Sequence, residues 1–85
     1  MTKKKLIQKN IELSEKLASY ILDNPSVIKG LPSNASYVFF SGSDKKLNAA
    51  NSDIIKSLLS QGTAVIKAEE THNTITPWKL TPLVQ

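Results

Sequence analysis

His72 is the chain's only histidine, and so the only side chain whose ordinary titration falls near neutral pH. A general base needs a nucleophile or a substrate within hydrogen-bond reach. His72 sits in Glu69-Glu70-Thr71-His72-Asn73, a polar exit from a strand, and reads as an exposed loop histidine. Glu69 and Glu70 are adjacent, so on a strand they point to opposite sides, which is poor geometry for a pair of acid and base carboxylates. Ser41-Gly42-Ser43-Asp44 follows one apolar run and opens another, where the free N–H groups of a helix start could hold a small anion. Only one glycine is present, the lysine and hydroxyl of a phosphate loop are missing, and Asp44 would repel an anion. The turn reads as ordinary helix capping. With no cysteine and one histidine, a Cys/His zinc site cannot be assembled from one chain. The expectation is a protein with no catalytic, cofactor-binding or metal-binding residues, and not an enzyme.

Two other groups of residues bear on binding. Lys3, Lys4 and Lys5 with Lys9, and Lys45 with Lys46, are basic clusters that could touch a phosphate backbone with salt-sensitive affinity. Against this, the eleven basic residues are all lysine, and arginine is the preferred residue for planar recognition of phosphates and base edges. Tyr37, Phe39 and Phe40 share one strand, so stacking on bases would require core residues to be exposed. Trp78, with Leu80 and Leu83, lies in a proline-flanked segment. A large aromatic in such a place either anchors an interface or seals the chain's own core.

Two amphipathic helices and two short strands must position these groups. Leu6, Ile7, Ile11, Leu13, Leu17, Ala18, Tyr20 and Ile21 cover about half of a helical wheel at ~100° per residue, predicting a helix over 3–23 that Asn24-Pro25 ends. Tyr37-Val38-Phe39-Phe40 predicts a strand over 36–41. Ser43 or Asp44 caps a second helix over 44–61, with Leu47, Ile54, Ile55, Leu58 and Leu59 inward and Asn51 within the apolar arc. Gly62 supplies its stop, and a second strand follows over 63–68. Pro77 and Pro82 argue against regular structure in 71–85, which reads as an irregular tail. Strand, helix, strand is the spacing of a right-handed parallel crossover. Two strands make no stable sheet, so the layer should be completed by the tail or by a second subunit.

Eighty-five residues with a net charge of +4 bound the chain to one domain, 1–85, with a core that rarely supplies more than about 3–5 kcal/mol unaided. Disulfides and zinc being excluded, oligomerisation is the remaining supplement. Gln8, Lys9, Asn10, Glu12 and Glu15 interrupt the segment after the N-terminal lysines, so it does not read as a secretory signal, and no window has the ~20 apolar residues of a membrane span. A cytoplasmic protein is expected.

The chain resembles a family of small prokaryotic proteins of unknown function. The resemblance is carried by Leu6-Ile7-Gln8-Lys9-Asn10-Ile11-Glu12-Leu13-Ser14, by Tyr20-Ile21 with Pro25, by Leu31-Pro32-Ser33-Asn34-Ala35, and by the helix-Gly62-strand element ending Val65-Ile66-Lys67. It spans most of residues 5–68. Members usually carry an acidic turn where this chain has Ser41 to Asp44, and a basic tail where it has Trp78-Lys79-Leu80. The resemblance implies the fold and adds no chemistry.

The expected fold is α/β, in the order α-β-α-β with a two-strand parallel crossover. The expected function is a non-enzymatic, homo-oligomeric interaction module, the copies sharing a sheet edge or exchanging tails through Trp78, Leu80 and Leu83. The alternative is an accessory nucleic-acid binder acting through the lysine clusters. An enzyme using the Ser41 to Asp44 turn is least favoured.

Overall fold

The computed structural model describes residues 2–83. Helix α1 spans Lys3–Asp23, strand β1 Ser36–Phe40, helix α2 Lys45–Ser60, strand β2 Val65–Glu70 and strand β3 Trp78–Leu83, with a short 3-10 turn at Pro25–Ile28. The fold is α/β, and the three strands form one mixed sheet in the order β1-β2-β3. β1 and β2 are parallel, joined by the α2 crossover, and β3 runs antiparallel to β2.

Local chemistry sets the boundaries. The Thr2 hydroxyl accepts from the Lys5 N–H and starts α1, and the Asn24 N–H closes it on the Tyr20 and Ile21 carbonyls. Asp44 caps α2 by accepting from the Leu47 N–H at 3.0 Å. At its far end Gly62 takes φ +79°, its N–H donates to Leu59 O, and the Thr63 N–H donates to Leu58 O, which together form a Schellman stop. That stop uses Thr63, so the second strand starts at Val65 rather than at the expected residue 63.

The expected irregular tail over 71–85 is corrected by β3, whose residues 78–83 form a strand; residues 84–85 lie outside the described chain. Side chains build the turn that permits it. The Thr71 N–H and hydroxyl donate to the Pro77 and Thr76 carbonyls, both at 2.7 Å, while the Asn73 side-chain oxygen accepts from the Ile75 and Thr76 N–H groups. Pro82 is tolerated because of register. The Ser36 N–H donates to Ala64 O, which by strand alternation turns the main chain of Ile66 toward β1 and away from its β3 neighbour, Pro82. The proline nitrogen therefore faces outward from an edge strand, where no donor is required.

Period-two alternation sends Tyr37, Phe39, Ala68, Trp78 and Leu80 to one face of the sheet. There they meet Leu13 and Leu17 of α1 and Leu47 of α2, with Leu6, Tyr20 and Ile21 packed around them. The Phe39 and Trp78 rings sit edge-to-face at 6.3 Å. On the other face Val38 and Val65 pack with Ile55, ringed by Phe40, Leu58, Leu59 and Leu83. Beyond that cluster this face turns polar, with Lys67, which lies over Phe40, and Glu69, its ion-pair partner. α2 thus serves both faces, its first turns packing with α1 and its later turns on the opposite side. Ile54, expected on its inward face, is 40% exposed.

The result is a slab of 32 × 28 × 17 Å with a radius of gyration of 12.7 Å, against about 11.9 Å for a compact domain of this length. It exposes 5818 Å², where a 9.3 kDa monomer is expected to expose about 5,000 Å². No helix is long and apolar enough to cross a membrane among the described residues.

Candidate functional site

The apolar arc of α1 is wider than the sheet beneath it. Leu13 and Leu17 are buried, but Ile7 and Ile11 are 52% and 51% exposed and Leu22 is 82% exposed. At 3.6 residues per turn these three fall within about 60° of one another, on the side of α1 that faces away from the lysines Lys9 and Lys16. They adjoin a groove between α1 and β1, lined by Ser14, Leu17, Ala18, Ile21, Tyr37 and Phe39. A second groove shares Tyr37 and Phe39 and continues to Asn10, Asn51 and Ile54. One apolar surface therefore runs from α1 across the outer edge of β1 to α2.

Asparagines organise that edge. Asn51 is 1% exposed; its amide nitrogen donates to Phe39 O at 2.7 Å and to the Asn10 side-chain oxygen at 2.8 Å, and its own oxygen accepts from Asn10 at 3.3 Å. Asn48 brackets Ser41 in both directions, accepting from its N–H at 2.9 Å and donating to its carbonyl at 2.8 Å. The outward carbonyl of Phe39, and both main-chain groups of Ser41 just past the end of β1, are thereby closed, as a neighbouring strand would close them. No such bracket reaches Tyr37 among the described residues.

The crevice beyond the carboxyl ends of β1 and β2 is where open α/β sheets commonly bind ligands. Here four of the five charged side chains that line it form two ion pairs, and Glu12 is the fifth. Lys9 pairs with Asp44, and Lys16 with Glu70 at 3.4 Å. The Lys9 ammonium, together with the Leu47 N–H, holds the Asp44 carboxyl below the usual carboxylate range. The Ser41 hydroxyl accepts from the Ser43 N–H at 3.3 Å. His72 is exposed, as expected of a loop residue, yet its ring lies against this turn, since a Cβ built on Gly42 would be 2.8 Å from Nε2. The Gly42 and His72 positions are thus neighbours in space, a proximity that the sequence separation conceals.

The residues expected to form an interface are largely used by the chain's own core. Trp78 is 9% exposed within the α1-facing cluster; Leu80 is half-buried against it, and Leu83 is half-buried in the other cluster. Of the two meanings a proline-flanked tryptophan can have, the burial of Trp78 fits the second, sealing the chain's own core. Lys3, Lys4, Lys5, Lys45 and Lys46 are exposed in the first turns of their helices, and Lys9 is half-buried. The Lys9–Asp44 pair draws the two basic clusters toward one end of the molecule. Periodicity alone missed Ile7, Ile11 and Ile54 as surface residues. The width of the α1 arc was the available signal.

No curated protein and no solved structure matches the chain. The family match covers residues 5–74, from α1 through β2 and the following turn, and stops short of β3. On that match the chain belongs to a family of unknown function, DUF5647.

Proposed function

We propose that this chain is a non-enzymatic interaction module that associates with further copies of itself. The observation that carries the reading is surface area. The 5818 Å² exposed exceeds the compact-monomer expectation by roughly 800 Å², so the chain leaves more surface in water than its mass requires. The large apolar residues left exposed on α1 supply the kind of surface that association covers. Support for a non-enzymatic role comes from the strand-end crevice, where Lys9 is held by Asp44 and Lys16 by Glu70, and where Glu12 is the one further charged side chain of the lining. Light scattering on a size-exclusion column tests the reading: a mass of at least twice 9.3 kDa at micromolar concentration is expected, and a monomer at every concentration refutes it.

A second reading, accessory nucleic-acid binding, is favoured by one observation. Both helices begin with lysines and have no acidic residue in the first turn, an arrangement that the helix dipole opposes. Retention on heparin and DNA binding that falls steeply with salt are expected under it. Absence of binding at low salt removes it.

A further inference from the structure

The geometry points to α1 as the contact between two copies, packed on α1 of the second copy over the open side of β1, in place of an exchange of tails. This inference rests on the self-association reading and specifies its surface. Three observations select a second copy as the occupant. Ile7, Ile11, Ser14, Ala18 and Ile21 follow one another at spacings of four, three, four and three residues, the seam of a helix that packs on another helix. Ser14 and Ala18 in the middle of that seam allow the two backbones to approach closely, and Ile7 and Ile11 on its outer side are half exposed, with nothing over them in the single chain.

The second observation is charge. A chain of net charge +4 repels its own copy, so a two-fold contact must use a neutral face. On this stretch of α1 the charged residues Lys9, Glu12, Glu15 and Lys16 all fall outside the seam at 3.6 residues per turn, and the groove walls beside it carry no charged side chain. The third observation is area. The whole chain exposes roughly 800 Å² more than a compact monomer of its mass, and the seam from Ile7 to Ile21, which stops where Lys4 falls in the basic first turn of α1, offers about 22 Å of helix beside the groove. By contrast, the tail directs Trp78 and Leu80 into its own sheet face.

The test compares Ile11→Lys with Ile75→Lys. Ile75 is 85% exposed in the turn before β3 and serves as a control for adding charge, while circular dichroism verifies that both variants fold. A two-fold contact loses both copies of Ile11, so the dimer dissociation constant is expected to rise on the order of 100-fold or more, with Ile75→Lys unchanged. Because the chain has no cysteine, Ser14→Cys supplies a second measurement: under mild oxidation it is expected to give a covalent dimer, and Thr74→Cys is not. A wild-type dimer that Ile11→Lys leaves intact, or that cross-links through Thr74→Cys and not Ser14→Cys, overturns this inference and leaves self-association standing. A wild type that is monomeric up to high micromolar concentration assigns the face to another kind of partner and overturns both.

Discussion

Replacing Asn51 removes a polar side chain from a site where almost no water reaches. Asn51→Ala deletes two donated hydrogen bonds and one accepted, at 2.7, 2.8 and 3.3 Å. Each ordinarily contributes about 0.5–1.5 kcal/mol net, and a stranded carbonyl such as Phe39 O costs about 1–3 kcal/mol. Allowing for the long third bond, the expected loss is about 2–4 kcal/mol, which in a domain of this length lowers the unfolding midpoint by roughly 10–25 °C. Asn51→Leu fills the space but donates nothing, so it should lose nearly as much. Urea and thermal unfolding followed by circular dichroism, at one fixed protein concentration because association adds its own stabilisation, measure both variants. Adding Asn10→Ala to Asn51→Ala should show a coupling of about 1 kcal/mol between the two asparagines. If Asn51→Ala lies within about 0.5 kcal/mol of wild type, or Asn51→Leu restores stability, the asparagine bracket is not what closes the β1 edge.

Trp78→Ala is expected to cost about 3–5 kcal/mol by opening a core cavity, much of the stability of so small a domain. Trp78 fluorescence should be blue-shifted and stay so on dilution, and a red shift without unfolding would show it to be an interface residue after all. Asp44→Asn keeps a capping side chain and removes the Lys9 ion pair. Because the folded state holds the Asp44 carboxyl below its ordinary value of 3.8, the pair's contribution is fully present above that pH and is lost as acid titrates the folded group. The stability gap between wild type and Asp44→Asn should accordingly be constant near neutral pH and shrink below about pH 4; a gap that widens in acid contradicts the pairing.

The periodic elements were legible in the residues. α1 keeps its expected bounds because its apolar spacing is helical throughout and Asn24-Pro25 can end it in only one way. α2 and β1 fall within a residue of expectation for similar reasons. β3 was hidden because Pro77 and Pro82 exclude a central strand, and the sequence does not say that the segment lies at an edge with the Pro82 nitrogen facing out. The candidate site was only half legible. Counting apolar residues on α1 shows too many for a small sheet, but which of them stay uncovered depends on how the helix is rotated over β1. That rotation is set by the Asn10–Asn51 pair and the Lys9–Asp44 pair, contacts between residues 41 and 35 positions apart. Asn51 gave a hint, as a polar residue inside an apolar arc, without naming its partner.

The bracketed border of β1 also bears on how many copies can join. A ribbon that polymerises strand to strand needs two open borders per subunit, one to give and one to receive. Asn48 and Asn51 occupy the receiving positions on β1, and Pro82 interrupts the row of donors on β3. Strand-to-strand growth into fibres is thereby opposed at both borders, at Phe39 and Ser41 on one and at Pro82 on the other.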